Sequence, residues 1–149
     1  MRHCANAPHR SSSMTSSDPS SPSKPGAARR GKLLVIDDDA LVRVSLGHIL
    51  SLDHEVTLCD SGQSALKLFA EGARFDAILC DINMPGMDGP QLFEAMETAA
   101  PDQLERTIFL TGGAYTARAQ AFLARVSNEQ MEKPFEFEAL RAVLARVMG

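Results

Sequence analysis

The segment KLLVIDDDALVR, residues 32–43, decides the fold of this chain. Four apolar residues, 33–36, lead directly into three consecutive acids, Asp37, Asp38 and Asp39. A short apolar run bounded in this way is typical of a strand. Adjacent carboxylates repel one another, and a folded protein tolerates them where a cation neutralises their charge. The segment therefore predicts a strand that ends at a cation site.

Short apolar runs recur along the chain and alternate with segments of helical periodicity. The strand candidates are Leu33–Ile36, Glu55–Cys59, Ala77–Cys80, Thr107–Leu110 and a weaker one at Gln130–Met131. Helices are predicted after the N-caps Asp39, Ser61 and Asp88, from near Thr116, and from about Phe137. On the first helix, the residues expected on the inner side are Leu41, Val42, Leu46, Ile49 and Leu50. Five strands alternating with five helices imply parallel pairing and right-handed crossovers, and hence an α/β fold.

Polar residues follow the predicted strands at the points where each strand ends. In parallel sheets, reactive groups gather at the carboxyl ends of the strands. We therefore expect one cluster of carboxylates, a hydroxyl and an ammonium, from Asp37–Asp39, Asp81, Thr111 and Lys133. Such an oxygen-rich site suits a hard divalent cation, and Mg²⁺ is the predicted ion.

Composition divides the chain into a tail and a domain. Residues 1–30 are rich in Ser, Pro and Arg and nearly lack large apolar side chains, so disorder is expected there. Residues 31–149 form the predicted domain and carry the acidic excess, which argues against direct DNA binding. No apolar run approaches the roughly 18–20 residues of a membrane helix. Three cysteines without CxxC spacing are typical of a reduced, cytoplasmic protein.

Four short strings, in order and each at a predicted strand end, carry a family resemblance. They are the acids of VIDDD, the loop CDINMPGMDG, the strand end LTGG, and EKPF. Asp38 and Asp81 are 43 residues apart, Thr111 follows after 30 more, and Lys133 after a further 22. From about Gly31 onward the chain resembles the receiver domain of two-component response regulators, either stand-alone and chemotaxis-regulator-like or related to the receivers of hybrid kinases. The resemblance implies a flavodoxin-like, three-layer, doubly wound sheet of five strands in the order 2-1-3-4-5.

The resemblance also implies a role for each site residue. Asp81 is implied as the phosphoacceptor, forming an aspartyl phosphate. Asp38 and Asp81 would ligate Mg²⁺ directly, Asp37 would act mostly through water, and the backbone carbonyl of Asn83 would add a ligand. Lys133 would face the phosphoryl group, in an implied cis bond to its proline. These roles describe a phosphorelay signalling protein rather than a turnover enzyme.

Thr111 and Gln130 concern how phosphorylation would be read out. By resemblance, the Thr111 hydroxyl donates to a phosphoryl oxygen and moves the following loop. The family usually places an aromatic residue three positions before the lysine, and this chain has Gln130 there. The implied partners are a sensor histidine kinase or histidine phosphotransfer protein and a downstream protein, without direct contact to DNA or membrane.

Two other functions are compatible with parts of the sequence. A phosphohydrolase of the haloacid dehalogenase type also uses an Asp nucleophile and Mg²⁺, and Asp37 and Asp39 form its DxD pattern. However, no segment of the chain provides the large substrate cap of that class. The other alternative is a receiver scaffold that is not phosphorylated and signals through protein contacts alone.

Overall fold

The structure is a computed structural model that describes residues 2–3, 30–112 and 116–149. The predicted disorder of residues 1–30 stays a prediction, because almost all of that segment lies outside the described residues. Among the helices within these ranges, none has both the length and the apolar character needed to cross a membrane.

A parallel sheet forms the centre of the molecule. Its five main strands are β1 (Lys32–Ile36), β2 (Glu55–Cys59), β3 (Ala77–Asp81), β4 (Thr107–Thr111) and β5 (Gln130–Glu132). They are ordered β2-β1-β3-β4-β5, which confirms the expected 2-1-3-4-5 topology. A further strand of two residues, Arg2–His3, pairs in parallel with the outer edge of β2. The sequence did not predict this sixth strand.

Within the described ranges, five α-helices connect and cover the strands, as expected. They are α1 (Ala40–Leu50), α2 (Gly62–Ala70), α3 (Gly89–Ala99), α4 (Ala117–Arg125) and α5 (Phe137–Met148). Asp39 caps α1 by accepting hydrogen bonds from the backbone N–H groups of Leu41 and Val42. Asp88 caps α3 in a reciprocal capping box with Gln91. A short 3₁₀ helix, Pro101–Arg106, precedes β4 and was not predicted.

The sheet separates two apolar cores, which confirms the three-layer architecture. The core on one face joins the sheet to α2, α3 and α4, and the core on the other joins it to α1 and α5. Both β3 and β4 are buried along their whole length, because alternate residues enter opposite cores. Phe109 of β4 contacts the rings of Phe93 and Phe122 edge-on, at centroid distances of 5.5 and 5.2 Å.

The prediction of which α1 residues face the inner side was wrong for two of them. Leu46 and Leu50 are buried, but Leu41 is 76% exposed and Ile49 is 39% exposed. At 3.6 residues per turn, Leu41 lies roughly 140° around the helix from Leu46 and therefore points away from the sheet. The helix thus buries a narrow stripe and leaves part of its apolar surface in solvent.

We predict that truncating Phe109 to alanine destabilises the domain by about 3–5 kcal/mol, because the substitution removes a fully buried ring from a three-ring cluster. Urea denaturation of both proteins measures the difference. Leu41→Ala is the matched control and should stay within about 0.5 kcal/mol of the parent, since Leu41 is exposed. Equal losses from the two substitutions would contradict the packing described above.

Candidate functional site

Three carboxylates meet at the carboxyl edge of the sheet. Ile36 at the end of β1 lies opposite Cys80 of β3, so the residues that follow them, Asp37 and Asp81, are neighbours. One carboxylate oxygen from each of Asp37, Asp38 and Asp81 lies within 4.8 Å of the others. The fold therefore brings these three acids together, as the sequence predicts.

Asp37 holds the centre of the cluster. It is fully buried, and its two carboxylate oxygens have different partners. One oxygen accepts a hydrogen bond of 2.9 Å from the backbone N–H of Asp39. The other forms an ion pair of 2.9 Å with the ammonium Nζ of Lys133. Asp37 thus links the loop after β1 to the segment after β5.

Lys133 lies between two acids. Its Nζ is 3.6 Å from a carboxylate oxygen of Asp81, somewhat farther than from Asp37. The backbone N–H of Lys133 donates to the carbonyl of Thr111, which fixes the lysine to the end of β4, and its bond to Pro134 is cis, as expected. Burial opposes the charge of the ammonium, but the hydrogen bond to Asp37 and the nearby carboxylates outweigh it and raise the pKa of Lys133.

Asp81 is a buried acid whose surroundings favour its protonated form. It ends β3 and only 6% of its surface is exposed. Burial, and then the charge of Asp37, raise the pKa of Asp81 to about 7, although Lys133 and the backbone N–H of Asn83 oppose the rise. Near neutral pH this carboxylate is therefore poised between its protonated and ionised forms. A bound cation would favour the ionised form.

Asn83 contacts the acid cluster, and Thr111 ends the neighbouring strand, β4. The backbone N–H of Asn83 donates to Asp81 at 3.4 Å, which brings the backbone of this residue to the acids. The hydroxyl of Thr111, at the end of β4, donates to the carbonyl of Met131 on β5 at 3.4 Å. The loop that carries Asn83 turns at Gly86, whose φ of 82° is a conformation that glycine favours.

Arg43 is a residue that the sequence reasoning missed. From the first turns of α1, its guanidinium donates to the backbone carbonyl of Asp37 at 2.8 Å. This bond ties the helix to the acidic loop without using a carboxylate oxygen. The signal available in the sequence was an arginine six residues after the first acid, which is too weak to single out.

Gln130 occupies the position where the receiver domains that the sequence resembles usually have an aromatic residue. Its side chain is exposed at the surface of β5 and donates to the carbonyl of Leu123, near the end of α4, at 2.9 Å. At the other end of α4, Arg118 reaches Asp88 at 3.5 Å. The helix is thus tied by polar contacts at both ends. Gly113, the last residue of the LTGG string, and Tyr115, the one tyrosine of the sequence, lie outside the described residues.

The arrangement fits a divalent metal and an anionic group together. Three carboxylates within reach of one another supply hard oxygen ligands, which Mg²⁺ prefers, and the ion would offset their mutual repulsion. The ammonium of Lys133 stands beside Asp81 and can meet further negative charge there. An acidic nucleophile, a metal site and a fixed cation are the parts that phosphoryl transfer requires.

The sheet and its helices define a class, the doubly wound α/β domains, and the acid cluster lies at the carboxyl edge of the sheet. Residues 33–145 match the response regulator receiver domain family. The chain therefore belongs to this family, which confirms the resemblance in its sequence. The match gives no support to the haloacid dehalogenase alternative.

Individual relatives place the chain among the receivers of two-component systems. It is 34% identical over 116 residues to the response regulator FleR of Pseudomonas aeruginosa, a match that covers 77% of this chain and 24% of that protein. It is also 34% identical over 116 residues to the transcriptional regulator FixJ of Bradyrhizobium diazoefficiens, covering 77% of this chain and 55% of that one. The chain thus spans about a quarter and about half of the length of these relatives.

Among solved structures, the receiver domain of a sensor histidine kinase from Pseudomonas aeruginosa PAO1 superposes with a TM-score of 0.70 at 28% identity. The match covers 80% of this chain and 98% of that domain. That structure contains a magnesium ion coordinated in its active-site cleft.

We predict that Asp81→Asn stabilises the metal-free protein at pH 8. A carboxyl group whose pKa is raised by folding binds its proton more tightly in the folded state, so stability falls as pH rises from about 4 to about 7. Asparagine does not titrate and avoids that loss, which we expect to be roughly 1–2 kcal/mol after solvent screening. Urea denaturation at pH 5 and pH 8 in the presence of a chelator measures it.

The control for this experiment is Asp53→Asn, at an exposed position outside the acid cluster. Its effect on stability should be small, because the side chain is exposed. If Asp81→Asn showed no greater gain at pH 8 than at pH 5, the carboxyl group of Asp81 would not be protonated more readily in the folded protein.

We also expect Mg²⁺ to bind more weakly below pH 7. A proton on Asp81 removes one of the three negative charges that would hold the ion, and its pKa of about 7 sets the range in which this occurs. Isothermal titration calorimetry at pH 6 and pH 8 should give a Kd roughly tenfold higher at pH 6. A Kd that does not change with pH would contradict the proposed competition between the proton on Asp81 and the ion.

Proposed function

We propose that this chain accepts a phosphoryl group on Asp81 in a Mg²⁺-dependent two-component phosphorelay. The observation that supports the proposal best is the position of Asp81. It shares a cluster of three carboxylates with Asp37 and Asp38 and lies 3.6 Å from the ammonium of Lys133. The family membership and the relatives among response regulators and kinase receivers point in the same direction.

In the proposed reaction, a carboxylate oxygen of ionised Asp81 attacks the phosphorus of the donor. An oxygen–phosphorus bond forms as the bond between phosphorus and the donor's histidine nitrogen breaks, and the nitrogen keeps that electron pair. Asp37, Asp38, Asp81 and the Asn83 carbonyl would hold Mg²⁺, which when bound neutralises charge on the phosphoryl oxygens. Lys133 supplies positive charge on another side of the transferred group.

Thr111 and Lys133 would both change partners on phosphorylation. The Thr111 hydroxyl now donates to a backbone carbonyl of β5 and would turn to a phosphoryl oxygen. Lys133 is now shared with Asp37 and would share its charge with the phosphoryl group. Since Thr111 precedes α4 and Gln130 ties the end of that helix, we propose that the change reaches the surface through α4.

The proposed donor is a sensor histidine kinase or a histidine phosphotransfer protein in the cytoplasm. The relatives include a signal transduction histidine kinase of Escherichia coli, 31% identical over 115 residues. The output is a change in protein contacts rather than DNA or membrane binding by residues 31–149. On this proposal the domain passes on or loses its own phosphoryl group and does not act as a turnover enzyme.

We expect acetyl phosphate with Mg²⁺ to add one phosphoryl mass to the protein, because a small donor needs only the acid cluster and its cation. Intact-protein mass spectrometry under mild conditions measures the addition. A chelator should abolish it, and so should Asp81→Asn, which replaces the attacking oxygen.

Asp53→Asn is the matched control and should accept the phosphoryl group as the parent does. A mass increase that persists in Asp81→Asn would assign the acceptor to another residue. No increase in the parent, together with a partner that binds Asp81→Asn and the parent equally, would favour the scaffold without phosphorylation.

A further inference from the structure

The two edges of the sheet differ in how they are protected. At one edge, β5 is only three residues long, and its outer residues Gln130 and Glu132 are exposed. At the other edge, β2 is five residues long and carries no charge from Val56 to Cys59. Short and charged edge strands resist pairing with other chains, whereas longer uncharged ones invite it. The outer edge of β2 is therefore the edge that requires protection against pairing with another chain.

A second strand covers this edge. Arg2 and His3 pair in parallel with β2, with Arg2 opposite Thr57 and His3 opposite Leu58. The pairing falls on the middle of the uncharged stretch of β2, where an incoming strand would otherwise dock. Main-chain hydrogen bonds of this kind supply affinity without requiring any particular side chain.

We infer that the outer edge of β2 is a strand-docking surface and that the chain's own N-terminal strand, Arg2–His3, occupies it and keeps a second copy from pairing there. Charge supports this occupant. Residues 1–30 carry a net positive charge, and β2 begins with Glu55 and is followed by Asp60. A second copy of β2 would bring like charges together instead, since it would add the same two acids.

Chain connectivity also favours pairing within one molecule. The backbone N–H of Glu55 donates to the carbonyl of Gly31, so the chain re-enters the domain beside the start of β2. Residues 4–29 join this point to His3 and can span many times the length of one strand. Pairing within the chain therefore needs no strain and has the advantage of a high effective concentration over a second copy.

The inference is tested in the full chain by Arg2→Pro/His3→Pro. Proline lacks the backbone N–H and disrupts strand pairing. Ser11→Pro/Ser12→Pro is the control, which also introduces two adjacent prolines but outside the N-terminal strand. Amide hydrogen exchange is measured by NMR for the amides of residues 56–59 that point away from β1, and self-association by sedimentation velocity over a range of concentrations.

We expect those amides to exchange at least about tenfold faster in Arg2→Pro/His3→Pro than in the parent or the control, as an opened edge would. We also expect concentration-dependent association in that variant alone. Unchanged exchange would show that the N-terminal strand does not occupy the edge. Faster exchange without association would overturn its protective role, and a parent dimer that the variant abolishes would show that the strand pairs between chains instead.

Discussion

The ion pair between Asp37 and Lys133 is the contact on which the site depends. The two residues are 96 positions apart and meet only if β1 and β5 lie in one parallel sheet with their carboxyl ends on the same side. A fully buried carboxylate requires a compensating charge, and the lysine provides it. Because the lysine balances the charge of Asp37, Asp81 can lie beside it with a pKa of about 7. The fold and the chemistry are therefore consequences of the same geometric condition.

Much of this organisation could be predicted from the sequence because it depends on short-range patterns. Apolar runs identified all five main strands, and a parallel sheet brings their carboxyl ends to one edge. The positions of Asp37, Asp81 and Lys133 followed from that rule, without knowledge of any distance. Helix N-caps were equally readable, since Asp39 and Asp88 satisfy backbone N–H groups only a few residues away. Because these hydrogen bonds join residues that are close in sequence, a short sequence motif is enough to predict them.

What could not be predicted depends on the phase of a helix or on contacts between distant segments. Leu41 has the same chemistry as Leu46, and only the docking of α1 decides which of them is buried. Arg43 reaches Asp37 because of the direction in which that helix leaves the sheet. The pairing of Arg2–His3 with β2 leaves no periodic pattern in the sequence. The resting partner of Thr111 is likewise a carbonyl that only the register of β4 and β5 provides.

The side-chain amide of Gln130 holds α4 by a hydrogen bond to the backbone carbonyl of Leu123. Every residue type has a backbone carbonyl oxygen, so substitutions along the outer side of α4 leave this hydrogen bond in place. The sequence of the exposed surface of α4 can therefore vary while the attachment of the helix to the sheet persists. An aromatic ring at position 130 would require neighbouring side chains of complementary shape. The amide of Gln130 does not impose that requirement.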